Sequence, residues 1–207
     1  PNSSWIHEIQ IVPSTLGLFL PSMPKFGETL EDDIKAVLMD ETMLSQRCQE
    51  LGEQISRDYE GQIPLMVGVL NGAMVFMADL LRCISIPVEI DSIAVSSYGK
   101  RAHSGDLKFC KDLNNEVKGK HVVFIEDIVD TGKTLKAVCE LFASRGAASI
   151  AVCTLLDKKA RRAVEGLEIR YMGFDCPNEF IVGYGIDYAE RYRNLPYVAA
   201  LKSSVYE

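Results

Sequence analysis

The sequence predicts an α/β protein built on a twisted, mainly parallel sheet flanked by helices. Three observations carry that prediction. Short apolar or β-branched runs alternate with runs of helical period, and such alternation implies right-handed crossovers between parallel strands. The chain has 207 residues, the size of one domain whose core hides roughly 70% of the unfolded surface. Its composition, 47% hydrophobic and 25% charged, is that of a globular chain and not of a disordered one.

The elements follow in order. Residues 1–30 are rich in Pro and Ser, with two short apolar pieces at Ile9–Val12 and Leu16–Leu20. They read as an irregular flap or small subdomain. After Asp40, residues Leu44, Cys48, Leu51, Ile55 and Tyr59 recur at three- and four-residue spacing. This predicts an amphipathic helix capped by Asp40 and stopped by Gly61. Leu65–Leu70 reads as a buried strand, Asn71-Gly72 as a turn, Ala73–Arg82 as a helix, and Val88–Val95 as a strand opened by Pro87. From Ser96 to Lys120 the chain is charged and punctuated by Gly and Asn, with little apolar period; a connection of that length reads as a functional loop or lid. Then come a strand at His121–Ile125, a helix at Lys133–Arg145 closed by Gly146, and a strand at Ser149–Leu156. Three further short strands are expected within Glu168–Phe174, Phe180–Val182 and Tyr197–Leu201.

Composition excludes several functions. With 22 Lys and Arg against 29 Asp and Glu the net charge is −7, so no general basic field exists to hold nucleic acid or an anionic membrane. An anionic ligand must be held by local geometry. The six cysteines, at 48, 83, 110, 139, 153 and 176, contain no C-x-x-C pair and are expected to be reduced, buried thiols. The apolar stretch Pro64–Leu81 is broken by Gly68, Asn71-Gly72 and Asp79, which divides it into strand, turn and helix instead of a membrane span. Pro1–Ser4 lacks the basic start of a secretion signal, and a cytoplasmic location is the expectation. His7, His103 and His121 fall at no catalytic pattern.

The chemistry concentrates in Val122–Thr134, where an apolar strand runs into Glu126, Asp127 and Asp130 and then Thr131-Gly132-Lys133-Thr134 at the mouth of a helix. Ligands of open α/β sheets bind at the carboxyl ends of strands. A helix start offers unpaired N–H groups suited to a phosphate, and a glycine lets the backbone approach it. The turn is not a nucleotide P-loop: that loop needs a glycine five residues before Gly132, where Asp127 stands. Three acids suit a ligand with hydroxyls and a cationic centre beside its phosphate, such as a sugar 5-phosphate. Asp130 is also a candidate cap for the helix. Lys158 ends a buried strand, whereas Lys159, Arg161 and Arg162 beside it read as a solvated charge run.

Val122–Thr134 resembles the phosphoribosyl pyrophosphate signature of type I phosphoribosyltransferases. Four further segments are similar to hypoxanthine-guanine phosphoribosyltransferases: Val69-Leu70-Asn71-Gly72, Ser97-Tyr98, Leu155-Leu156-Asp157-Lys158, and Phe180–Asp187 with Arg193 following. The resemblance runs from about Lys35 to Tyr197. It implies one phosphoribosyltransferase domain over 1–207, with a core at about 35–174 and a hood formed by about 1–34 and 175–207. The implied reaction belongs to purine salvage. It moves the phosphoribosyl group from phosphoribosyl pyrophosphate to N9 of a 6-oxopurine, hypoxanthine or guanine, with Mg²⁺ as cofactor and pyrophosphate as second product. A homodimer or homotetramer is implied as well.

Residue roles also come from the resemblance. Glu126 and Asp127 would hold the ribose hydroxyls directly or through Mg²⁺, and Asp187 would complete the metal's surroundings and touch the base edge. Asp130, Thr131, Gly132, Lys133 and Thr134 would enclose the 5-phosphate, with Asp130 also facing purine N7 as the proton partner. Lys158 would donate to the carbonyl at purine position 6, and Phe180 would stack on the base with Ile181 opposite or contributing backbone. Asn71, Gly72 and Arg193 would bind pyrophosphate, the loop at 70–72 through a non-proline cis peptide. Relatives often carry Lys or Arg where Asn71 stands, so a backbone contact is expected there without a charged side chain. Ser97 and Tyr98 would begin a lid. A regulatory relative that binds nucleic acid would need a basic face, which the net charge opposes. Lys158 with Phe180 separates the 6-oxopurine enzymes from relatives acting on another base.

Overall fold

The computed structural model describes residues 26–97 and 107–207. Expectations that fall on 1–25 and on 98–106, Tyr98 among them, lie outside the described residues, as does the side chain of Ser97. In chain order the elements are β1 (Ile34–Met39), α1 (Glu41–Asp58), β2 (Leu65–Val69), α2 (Met74–Arg82), β3 (Glu89–Ser97) and β4 (Leu107–Lys111). There follow β5 (His121–Val129), α3 (Lys133–Ser144), β6 (Ser149–Asp157), β7 (Tyr171–Asp175), β8 (Ile181–Val182), β9 (Val198–Leu201) and α4 (Ser203–Tyr206).

Six strands form the main sheet in the order β4-β3-β2-β5-β6-β7. Every neighbouring pair is parallel except β3 with β4. β5 lies in the middle, as the strand leading to a central ligand site should. Its successive side chains alternate between faces. Val123 and Ile125 pack into the core beneath α1 and α2, while Val122 and Phe124 pack beneath α3. Phe124 meets Phe142 of α3 edge to face at 4.9 Å. Helices therefore cover both faces of the sheet.

A second sheet, β1-β9-β8, is antiparallel and joins the two ends of the described chain. Its own small core contains Val182, Tyr192, Leu195, Leu201 and Val205. The buried Asp33 carboxylate ties this unit together, accepting from the Tyr192 hydroxyl at 2.6 Å and the Gly27 amide at 2.8 Å.

The helix start at Asp40 is as expected: its carboxylate accepts from the Met43 N–H at 2.8 Å, and Gly61 follows the helix end with φ +75°. Other expectations need correction. The presumed connection after Ser96 contains β4, an edge strand whose mixed Leu-Lys-Phe-Cys-Lys sequence hides its period. Lys111 at its end is paired with Asp91 of β3 at 2.8 Å. Cys110, expected to be buried, is exposed on that strand. β1 was not expected at all, because most of its side chains face solvent and leave no alternation to read. β5 runs four residues beyond Ile125, through the two acids to Val129. Among the described residues no helix is long and apolar enough to cross a membrane.

Candidate active site

The strand extension decides where the acids stand. Because β5 continues to Val129, Glu126 and Asp127 are consecutive strand residues that point to opposite faces. Glu126 is sunk among protein atoms, and its Oε2 is buried with no hydrogen-bond partner. Burial pushes its carboxyl well above the usual carboxylate range, with the charge of Asp127 adding to the shift. Burial raises Asp127 too, opposed by the Ile128 N–H, which donates to Oδ1 at 2.8 Å, and by the charge of Arg193. Asp187 acts on Asp127 in the raising sense.

A carboxyl whose native pKa lies above its unfolded value binds its proton longer in the folded state. Stability then falls as pH rises from the ordinary Glu value of about 4.3 through the raised native value. Glu126→Gln is therefore expected to stabilise the ligand-free protein at about pH 7 and to flatten its pH dependence. Calorimetry should show Tm higher by about 2–4 °C, the shift that ~1 kcal/mol gives in a domain of this size. A variant less stable than the parent at neutral pH would show that the buried acid is satisfied in the free protein.

Gly72 lies against Asp127 so closely that a Cβ would overlap the carboxylate. The Leu70–Asn71 peptide before it is cis. Asn71 is exposed. The carbonyl of Gly72 touches Gly185 closely enough to exclude a side chain there as well. Arg193 closes this cluster: its Nη1 donates to the Gly185 carbonyl at 2.8 Å, and its Nη2 pairs with Asp187 Oδ1 at 2.8 Å. The loop at 70–72, Asp127, Asp187 and Arg193 are thus one assembly.

At the end of β5 the turn Asp130-Thr131-Gly132 enters α3. Gly132 is the N-cap, with φ +76°, a conformation that favours glycine. Arg162, Val164 and Leu167 crowd it from outside. The Thr131 carbonyl accepts from the Ala163 N–H at 3.0 Å, and Thr131 Oγ1 takes the Lys133 N–H at 3.5 Å. The Lys133 side chain is exposed, and Thr134 stands half-buried on the first helical turn. The remaining N–H groups of that turn have no intrahelical partner and suit an anion. The alternative that Asp130 serves as the helix cap does not hold: Gly132 is the N-cap and no side chain makes that bond. Asp130 Oδ1 is buried without a hydrogen-bond partner, although Arg161 Nε lies 3.2 Å away outside hydrogen-bonding alignment.

β6 brings the other half of the site alongside. The Lys158 N–H donates to the Val129 carbonyl at 3.0 Å, which fixes Lys158 beside the acidic turn. Its side chain is buried, and the ammonium donates to the Glu179 carbonyl at 2.6 Å, one residue before Phe180. Phe180 is 37% exposed, as a ring offered to a ligand should be. Ile181 is not: its side chain packs into the main core, leaving only its main chain available. Glu126 and Asp127 near the end of β5, Asp130 in the turn, Lys158, Phe180 and Arg193 therefore share one edge of the molecule.

Arg162 corrects the reading of the charge run. Its side chain is largely buried and paired with Asp157, while its Nη1 has no partner. Arg161 stays exposed, as expected of the run, with its Nε 3.2 Å from Asp130; a run of cations gives no sign that Arg162 alone turns inward. A cavity of about 580 Å³ adjoins Arg193 and is lined by Cys48, Asp79, Arg82 and Tyr184 among others. There the Tyr184 hydroxyl donates to Asp79 at 2.7 Å, and burial pushes the Cys48 thiol up to about 11.

Among the described residues no three His, Cys, Asp or Glu side chains converge to form a cage for a metal ion. The expected trio of Glu126, Asp127 and Asp187 is thus not a preformed metal centre. Asp127 and Asp187, near enough to affect each other's charge, fit the open arrangement in which Mg²⁺ takes one or two carboxylates and completes its shell from substrate oxygens and water.

Known proteins share this fold. Residues 38–189 match the family model described as the phosphoribosyl transferase domain. The chain is 48% identical over 178 residues to the hypoxanthine-guanine phosphoribosyltransferase of Streptococcus pneumoniae, covering 86% of this chain and 98% of that protein. It is 50% identical over 181 residues to the bifunctional protein TilS/HprT of Listeria monocytogenes. That match covers 87% of this chain and spans only 28% of the longer relative. A crystal structure of a hypoxanthine phosphoribosyltransferase from Staphylococcus aureus superposes with TM-score 0.83 at 43% identity, over 88% of this chain and all of that one. The chain belongs to the phosphoribosyltransferase family, among its hypoxanthine-guanine phosphoribosyltransferase members.

Proposed function

We propose that the protein transfers the 5-phosphoribosyl group of phosphoribosyl pyrophosphate to N9 of a 6-oxopurine, hypoxanthine or guanine, in purine salvage. The observation that carries this reading is Lys158, buried and tied to both halves of the site. Its N–H is bonded to the end of β5 and its ammonium to the residue before Phe180. A donor-only ammonium held there suits a carbonyl at position 6 and sets donor against donor with an adenine amino group.

The transition state places positive charge on the sugar's anomeric carbon, so the task is electrostatic stabilisation and alignment. The turn from Asp130 to Thr134 grips the 5-phosphate with backbone N–H groups. Glu126 and Asp127 accept from the ribose hydroxyls, and the charge of Asp127 favours the developing cation. Asp130 takes the proton partner's place at purine N7. Phe180 stacks on the base, and the main chain of Ile181 meets its edge. Gly72, the backbone at Asn71, and Arg193 receive pyrophosphate; a guanidinium fork matches phosphate oxygens bidentately. Mg²⁺, held by Asp127 and Asp187, would neutralise charge on the leaving pyrophosphate. The proposed unit is one catalytic domain with its core at about 35–174 and a hood from both chain ends, working in the cytoplasm as a homodimer or homotetramer.

The test is direct. The protein is incubated with Mg²⁺, phosphoribosyl pyrophosphate and, separately, hypoxanthine, guanine, xanthine and adenine, and nucleoside monophosphate is measured. Formation of inosine or guanosine monophosphate with little adenosine monophosphate is expected. Absence of turnover with every 6-oxopurine overturns the reading.

A further inference from the structure

Resting on the purine-transfer reading, we infer that Tyr206 is a positioning residue for the base, holding the Phe180 ring in the plane on which the purine lies. Alternation along β8 puts Ile181 in the main core and Val182 in the small core. Phe180, one residue earlier, leaves the strand on the Val182 side. There it meets two tyrosines. The Tyr206 ring is stacked on it, with centroids 4.6 Å apart and planes 21° apart. The Tyr188 ring stands nearly perpendicular, with centroids at 5.1 Å and planes at 83°. A ring more than one-third exposed is free to turn unless something fixes it, and a flat base gains from stacking only on a fixed plane.

Tyr206 is itself held. The residue before it, Val205, is buried in the small core, and its N–H donates to the Lys202 carbonyl at 3.1 Å. The Lys202 N–H in turn donates to the Asp33 carbonyl at 2.9 Å. The Glu207 N–H donates to the Ser203 carbonyl at 2.9 Å, which closes α4 around Tyr206. The neighbour of Phe180 is fixed from the other direction: Glu179 pairs with Lys35 at 2.8 Å through its carboxylate and accepts from Lys158 through its carbonyl. Base selector, stacking ring and backing ring thus form one unit, with Tyr206 covering one face of Phe180 and leaving the other to the purine.

The experiment compares Tyr206→Phe, Tyr206→Leu and Tyr206→Ala with the parent. Steady-state kinetics would use hypoxanthine or guanine and, separately, phosphoribosyl pyrophosphate as the varied substrate. The leucine and alanine variants are expected to raise KM for the base about three- to tenfold, with kcat and the KM for phosphoribosyl pyrophosphate little changed. Tyr206→Phe keeps the flat ring and should restore the parent values. Equilibrium binding of guanosine monophosphate against ribose 5-phosphate gives a second readout that needs no turnover, and only the nucleotide should weaken. An unchanged base KM in both the leucine and alanine variants overturns the inference. So does a lowered one, which would mean that Tyr206 occupies the face the base needs, and so does an equal rise in both KM values. Failure of the parent itself to turn over any 6-oxopurine would instead overturn the purine-transfer reading, and nucleotide binding would still decide the role of Tyr206.

Discussion

Asp130→Asn is expected to lower turnover by about 10²–10⁴-fold, the span typical of a lost proton partner, while ribose 5-phosphate binds nearly as well as to the parent. The asymmetry follows from the turn's construction. The proposed phosphate cradle is made of backbone N–H groups, with Gly132 at the N-cap and the Thr131 carbonyl held by Ala163. The Asp130 carboxylate contributes no bond to that backbone and its Oδ1 lacks a hydrogen-bond partner. Asparagine keeps the shape and removes the proton acceptor. Steady-state kinetics with calorimetric binding of ribose 5-phosphate would check it. Parallel losses of turnover and affinity would return Asp130 to a role in holding the turn.

Lys158→Gln should collapse discrimination between bases. An ammonium offers donors only, whereas an amide can turn its oxygen toward an amino group. The ratio of kcat/KM for hypoxanthine to that for adenine is expected to fall by about 10²-fold or more, since a site built around a polar partner rejects the wrong analogue by large factors. Part of the loss falls on hypoxanthine and part is a gain for adenine, so both rates must be measured. Tm should drop as well, because the half-buried Glu179 carbonyl loses an ionic donor. An unchanged ratio would move base selection elsewhere in the site.

The most legible part of the molecule was the segment whose residue types are dictated by chemistry. Val122–Thr134 displays strand, acids, glycine and helix start in one line, and only the strand's length was misjudged, because Glu126 and Asp127 interrupt its apolar pattern. The helices under the sheet were equally clear, since one face of each is apolar. β1 and β4 were not legible: one is mostly solvent-facing and the other is a short edge strand of mixed charge. Side chains that act through long-range packing gave no local signal either. Arg162 was hidden in a cationic run, and Tyr206 sits 26 residues along the chain from the ring it stacks on. Asp130 looked like a cap because an acid before a helix usually is one; the left-handed glycine took that place instead.

The pairing of β1 with β9 joins residues 34–39 to residues 198–201, and this has a consequence for how the protein emerges from the ribosome. All six strands of the main sheet lie between those partners, so the phosphate turn can be assembled on a nascent chain while β1 still waits for its mate. Contacts between distant segments close late. The turn at 130–134 then takes its shape before the smaller sheet closes, and the segment that carries Phe180 is the last part of the edge to be locked in place.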